Sequence, residues 1–84
     1  MIEQERNITA WSTEYRKFAN SSAYFEFNKL IEKVNMGYSL DGTNPQTISY
    51  AIANSLIQRS EKSSNLYEWT EKGKYFVKRY LENN

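Results

Sequence analysis

The sequence predicts an α+β fold in which three helices are followed by a two-stranded antiparallel β-hairpin and a closing helix. Apolar residues recur at helical spacing in three segments, residues 8–20, 23–34 and 45–55. Two short strand-like segments, residues 56–60 and 66–70, are separated by a polar stretch of hairpin-loop length. A last amphipathic segment follows Thr70. Because a chain of 84 residues rarely divides, we predict one domain over residues 1–84.

The first helix is predicted over residues 8–20. Its large apolar residues are spaced so that they share one helical face, and they are Ile8, Trp11, Tyr15 and Phe18. Asn7 and Thr9 are alternative N-caps, and Asn20 with the two serines after it marks the end. We expect this aromatic face to pack into the core.

The second helix is predicted to begin at Ala23 and to end at Asn35 or Met36. Its apolar residues again follow helical spacing, and they are Tyr24, Phe27, Leu30, Ile31 and Val34. Gly37 stands where a left-handed residue commonly ends a helix.

The third helix is predicted from Pro45 to about Ser55, after a turn-rich connector in which Leu40 is the expected core anchor. Asn44 suits the N-cap, and proline suits the first helical position because no partner is needed there for an N–H. On a helical wheel one side holds Ile48, Ala51, Ile52 and Leu56, and we expect this side to fasten the helix to the core. The other side holds Gln46, Tyr50, Ala53 and Asn54.

The predicted hairpin strands are residues 56–60 and 66–70, and in the second strand Tyr67 and Trp69 alternate with their neighbours. Thr70 can then cap the closing helix. The apolar stripe of that helix is Gly73, Phe76, Val77, Tyr80 and Leu81. Three basic residues lie outside the stripe, Lys74, Lys78 and Arg79, toward the end where positive charge suits the helix dipole.

The residue inventory argues against catalysis. The chain has no histidine and no cysteine, which removes the commonest general base, the commonest metal ligand and any thiolate site. We therefore predict no enzyme activity, no metal site and no cofactor. The net charge is +1, and it divides into −1 for residues 1–44 and +2 for residues 45–84. The small positive charge of the second half weakly favours an anionic partner.

The beginning of the chain has no apolar signal-peptide core, and no segment approaches the ~20 apolar residues of a membrane span. The sequence therefore predicts a cytoplasmic protein that does not enter a membrane. No small-molecule substrate is indicated.

Two segments resemble the winged helix-turn-helix superfamily. Residues 66–77, LYEWTEKGKYFV, resemble the tail of many such domains, including the MarR-like type, where a wing strand ends in tyrosine and threonine before Lys-Gly and an aromatic. Residues 37–52, GYSLDGTNPQTISYAI, are similar to the HARE-HTH type, where a Pro-x-Thr-Ile/Val-Ser run opens the recognition helix. The resemblance covers roughly residues 37–81. It implies a winged helix that binds duplex DNA, as a transcriptional regulator or a phage- or plasmid-type accessory factor.

In that family the third helix enters the major groove, and the hairpin wing contacts phosphates. The resemblance implies these DNA-contacting residues on the helix: Gln46, Thr47, Ser49, Tyr50 and Asn54. Around the hairpin it implies Arg59, Lys62, Lys72 and Lys74, with Arg16 or Lys17 added from the first helix. Glutamine and asparagine can pair bidentately with adenine, and lysine and arginine neutralise phosphates. The wing itself is short, with a single lysine at its tip.

Alternative functions also fit the sequence. One is a winged-helix protein-interaction module that uses Tyr50 and its neighbours without binding DNA. A small enzyme subunit is a third, although no residue recommends it. A homodimer through the terminal helices is a further hypothesis, in which part of the first aromatic face, Tyr75 and Tyr80 contact a second copy.

Overall fold

A computed structural model describes the backbone of residues 2–62 and 66–82, and the side chains from residue 10 onward within those ranges. The described residues form four α-helices, a 3₁₀-helix and a two-stranded antiparallel sheet, which confirms the predicted α+β class. The elements in chain order are α1 (Ile2–Ala19), the 3₁₀-helix (Ser22–Tyr24), α2 (Phe27–Met36), α3 (Pro45–Ala53), β1 (Ile57–Arg59), β2 (Tyr67–Trp69) and α4 (Glu71–Glu82). Ile8 and residues 63–65 of the hairpin tip lie outside the described side chains.

The first helix is longer than the apolar pattern predicts. It begins at Ile2, so Asn7 and Thr9 are interior residues and the prediction that one of them caps the helix is wrong. The apolar pattern of the sequence starts only at Ile8, but the residues before it are mostly good helix formers, so the helix extends toward the beginning of the chain. The end at Ala19 agrees with the prediction.

The second helix begins later than predicted. Ala23 belongs to the short 3₁₀-helix, and Glu26 has a left-handed backbone with φ of 63°, so α2 starts only at Phe27. The Glu26 side chain offsets this unfavourable conformation, because its carboxylate accepts hydrogen bonds from Lys29 Nζ and from the backbone N–H of Asn44, both at 2.9 Å. The predicted end is confirmed, since Gly37 is left-handed with φ of 73°.

The connector between α2 and α3 folds back along α2. The Lys33 ammonium donates to the backbone carbonyl of Asp41, and the N–H of Asn44 reaches the side chain of Glu26. Leu40 is buried, which confirms it as the anchor. As a result α3 begins beside the start of α2 and the 3₁₀-helix rather than beside the end of α2.

The third helix begins as predicted and ends slightly early. The Asn44 side chain accepts a hydrogen bond from the N–H of Gln46 at 3.4 Å, and Pro45 occupies the first helical position. The helix ends at Ala53, two residues before the predicted end. Ile52 was expected to face the core, but it is 47% exposed, so that prediction is wrong.

The hairpin and closing helix form the second half of the fold. The two strands are antiparallel, with Ile57 opposite Trp69 and Arg59 opposite Tyr67. Each strand is one residue shorter at both ends than predicted. Thr70 caps α4 as predicted, because its Oγ1 accepts a hydrogen bond from the N–H of Gly73 at 3.0 Å.

The core is an aromatic cluster contributed by α1, α2 and α4. Phe18, Phe27 and Phe76 are almost completely buried, and the rings of Phe18 and Phe27 meet edge to face with centroids 4.8 Å apart. Tyr15 packs edge-on against Phe76 at 5.3 Å. The expectation that the aromatic face of the first helix enters the core is therefore confirmed for Tyr15 and Phe18. Among the described helices, none is long and apolar enough to cross a bilayer.

Candidate nucleic-acid interface

The solvent-exposed edge of α3 is short and uncharged. Gln46 and Ser49 lie one turn apart on this edge and are both exposed. The helix is held in place at its start, where Asn44 Nδ2 donates to the Ser22 carbonyl at 3.3 Å and to Thr47 Oγ1 at 3.0 Å. The two exposed polar side chains therefore project from a fixed helix.

Thr47 does not belong to this edge. Its side chain is only 1% exposed, and its hydroxyl donates to the backbone carbonyl of Phe25 at 2.5 Å. The prediction that Thr47 faces solvent is therefore wrong. The physical reason is that the carbonyl of Phe25, left without a helical partner before α2, needs a donor at this position.

Tyr50 and Asn54 have structural roles. The ring of Tyr50 lies 5.0 Å from that of Phe18, and burial raises the pKa of the Tyr50 phenol, with a further contribution from the charge of Glu14. Asn54 Nδ2 donates to the Tyr50 carbonyl at 3.0 Å, where it satisfies a carbonyl near the end of α3. Both side chains are half-buried, so Gln46 and Ser49 are the two predicted helix residues that remain fully on the surface.

The hairpin directly after α3 carries two exposed cations, Arg59 and Lys62. The guanidinium of Arg59 lies 6.0 Å from the centroid of the Tyr67 ring on the paired strand, at the outer limit of a cation–π contact. Acidic side chains lie near these cations, since Glu61 precedes Lys62 and Glu68 accepts a hydrogen bond from Gln58. The hairpin charge is mixed rather than strongly basic.

The two remaining predicted cations, Lys72 and Lys74, lie on α4. Lys72 forms an ion pair with Glu14 and its side chain is only 18% exposed. Lys74 is exposed, but it lines a groove beside Trp69 and Val77. Lys72 is therefore engaged with α1, and Lys74 lies at the groove on α4.

Two exposed cations, Arg16 and Lys17, lie near the end of α1. This end of α1 lies beside α3, because the ring of Phe18 contacts that of Tyr50. Arg16 and Lys17 were predicted as possible phosphate contacts, and their exposure leaves them available for that role.

Sequence reasoning missed two apolar residues beside this edge. Phe25 is 67% exposed and lies next to the first turn of α3, since its carbonyl is bonded by Thr47. Ile52 is exposed toward the end of the same helix. Phe25 falls off the helical apolar pattern of its neighbours, which was the available signal. For Ile52 no signal in the pattern pointed outward.

Within residues 2–62 and 66–82, no group of three or more His, Cys, Asp or Glu side chains is placed to hold a metal ion. No protein-family model, curated protein or solved structure matches the chain.

Proposed function

We propose that the chain is a small winged-helix DNA-binding protein, in which α3 contacts base edges and the hairpin contacts phosphates. One observation carries this proposal. The exposed edge of α3 offers hydrogen-bonding groups without charge, and the hairpin that follows it directly exposes Arg59 and Lys62. Uncharged groups on the helix and cations on the hairpin are what DNA recognition requires, because phosphate contacts position the protein and base contacts specify the sequence.

The chemistry of the edge suits base readout. The Gln46 amide can donate to and accept from an adenine in the major groove, and the Ser49 hydroxyl can serve either role. Since α3 carries no cation, the affinity has to come from charges outside the helix. These are Arg59 and Lys62 on the hairpin, with Arg16 and Lys17 on α1.

The number of exposed cations that contact phosphates sets the expected salt dependence. The logarithm of the affinity falls by about 0.9 for each neutralised phosphate per tenfold rise in salt. Two to four contacts therefore predict about a 10- to 150-fold loss of affinity between 50 and 200 mM salt. This dependence is milder than that of strongly basic DNA-binding proteins.

A titration of the isotope-labelled protein with a random-sequence DNA duplex at low salt tests the proposal. Chemical-shift changes are expected at Gln46 and Ser49 and along β1. Arg59→Ala and Lys62→Ala should each reduce the slope of the salt dependence by about one. Lys78→Ala is the matched control, because Lys78 is equally a surface lysine but lines the groove on α4 with Val77 and Leu81, and it should leave the slope unchanged.

Absence of shifts on α3 at low salt would rule out DNA recognition through this helix. Shifts confined to the cations would indicate phosphate binding alone. If Gln46→Ala also binds every duplex as tightly as the unchanged protein, Gln46 does not read bases.

The exposed apolar pair supports a second candidate, a protein-interaction surface on the same edge. Phe25 lies beside the start of α3, and Ile52 lies near its end. The two apolar residues therefore lie on either side of the polar pair along the helix. Aromatic side chains are enriched at protein interfaces, and exposed apolar patches mark many interaction sites. A photo-crosslinking residue introduced at Ser49 separates the candidates in cells that make the protein. Crosslinks to DNA support the first candidate, and crosslinks to one protein support the second.

A further inference from the structure

A mostly apolar groove lies on α4, away from the exposed edge of α3. It has a volume of ≈ 550 Å³, within the range typical of ligand pockets. We call it the α4 groove, and its lining residues are Asn35, Trp69, Lys74, Val77, Lys78, Leu81 and Glu82. Leu81 is 60% exposed, an unusual position for a leucine on the apolar stripe of a closing helix.

The floor of the α4 groove is fixed before any partner arrives. The indole Nε1 of Trp69 donates to Asn35 Oδ1 at 2.8 Å, and its ring lies edge to face against Phe27 at 6.1 Å. Trp69 also packs against Gly73, where any added side chain would meet its ring. A rigid aromatic floor lowers the entropy lost on binding.

The rim of the α4 groove carries a net positive charge. Lys74 and Lys78 lie one turn apart, about 6 Å along the helix axis. Lys74 is 4.0 Å from Glu71, and Lys78 forms no salt bridge within the part of the chain that the structure describes. The lining residues carry two positive charges and one negative charge.

We propose that the α4 groove binds an acidic amphipathic helix of a partner protein. An apolar side chain of the partner packs on Trp69, Val77 and Leu81. Two carboxylates one turn apart on the partner helix have the spacing of Lys74 and Lys78 and pair with them. This site is separate from the proposed DNA surface and does not depend on it.

Charge and polarity argue against other occupants. DNA would satisfy the lysines but would place phosphates against the apolar surface of Val77 and Leu81. A second copy docked through the same helix with its two-fold axis beside Lys78 would bring that lysine close to its own counterpart, which is a like-charge contact. An acidic helix satisfies the apolar floor and the basic rim together.

A synthetic peptide of about 15 residues tests the proposal, with leucines on one helical face and glutamates flanking them one turn apart. The control peptide has lysine in place of every glutamate. The labelled full chain is titrated with each peptide. The acidic peptide is expected to shift the indole N–H of Trp69 and the amides of Val77 and Leu81, whereas the lysine peptide should bind at least tenfold more weakly.

Two variants locate the site. Leu81→Gln and the double variant Lys74→Glu/Lys78→Glu should each weaken binding of the acidic peptide at least tenfold. The double variant should now prefer the lysine peptide. The matched controls are Ile52→Gln, an equally exposed apolar residue on α3, and Lys62→Glu, a surface lysine on the hairpin. Both controls should bind the acidic peptide normally.

Several outcomes would overturn the proposal. Equal binding of both peptides would remove the role of the lysines, and no saturable shift at millimolar peptide would remove the site. Self-association in sedimentation that Leu81→Gln abolishes would assign the groove to a second copy. DNA-induced shifts at Trp69 and Leu81 would assign it to nucleic acid. If Leu81→Gln loses peptide binding but gives the same DNA-induced shifts as the unchanged protein, the proposal is supported, and DNA binding does not involve the α4 groove.

Discussion

Phe18, Phe27 and Phe76 pack ring against ring in the centre of the molecule, whereas the exposed edge of α3 carries only Gln46 and Ser49 between apolar neighbours. The core side chains are large and have contacts on every side, so most of the folding free energy depends on them. The polar edge side chains have few contacts within the chain and are available to a partner. Substitutions in the two regions should therefore separate stability from binding.

The largest effect is expected in the core. Phe18→Ala removes a buried ring that contacts five other aromatic rings, and it should lower the free energy of unfolding by about 3–5 kcal/mol. Phe25→Ala makes the same chemical change at an exposed position and should alter it by less than about 0.5 kcal/mol. Urea unfolding measures both. Similar losses in the two variants would contradict the contrast between core and edge.

Gly73→Ala tests how closely α4 approaches the start of the hairpin. An added Cβ would lie 1.9 Å from the carbonyl oxygen of Leu56, so α4 would have to shift, at a cost of about 1–3 kcal/mol or more. Helix propensity alone predicts the opposite sign, since alanine favours a helix over glycine by about 1 kcal/mol. Thermal unfolding shows whether the substitution raises or lowers the stability of the protein. A more stable variant would show that this close approach does not occur.

Glu26 links stability to pH at the turn before α2. The hydrogen bond from Lys29 lowers the pKa of the Glu26 carboxyl below its ordinary value of 4.5, with smaller contributions from the Asn44 N–H and the charge of Lys33. Because the pKa of Glu26 is lower in the folded than in the unfolded protein, the stabilisation by its carboxylate is complete at a pH above the unfolded pKa. It is lost as the pH falls from about 4.5 through the folded pKa.

Comparison of the protein with Glu26→Gln between pH 7 and pH 3 measures this contribution. The stability difference between the two should shrink as the pH falls. A difference that stays constant over this interval would mean that the carboxylate charge of Glu26 does not stabilise the turn.

The smallest change in stability is expected on the α3 edge and the hairpin. Gln46→Ala and Lys62→Ala should each change the free energy of unfolding by less than about 0.5 kcal/mol, because both side chains are exposed. Calorimetry checks this directly. The same variants should weaken DNA binding, so a loss of stability with unchanged binding would reverse the roles given to the two regions.

Local signals in the sequence were sufficient for the element boundaries that depend on capping. Asn44 with Pro45 begins α3, Gly37 ends α2 and Thr70 begins α4, each as predicted. These boundaries are set by hydrogen bonds within a few residues, so the local sequence contains the partners. The order of helices and strands also follows from local periodicity.

The candidate site was less predictable. Among the predicted helix residues, Gln46 and Ser49 are exposed, but Thr47 is buried and Ile52 faces solvent. A helical wheel gives the relative angles of side chains but not the direction of the core. That direction depends on how the 3₁₀-helix and Phe25 meet the start of α3, a contact between residues 22 positions apart.

Periodicity and capping act over a few residues, and local sequence was therefore enough to predict the α+β class, the order of the helices and strands, and the residues that begin α3. The tertiary structure alone decided which side of α3 faces solvent, the left-handed turn at Glu26 and the pairing of Lys72 with Glu14. Each of these depends on groups distant in the sequence. A hydrogen bond or charge pair between distant residues forms only after packing has brought them together, and no local pattern encodes it.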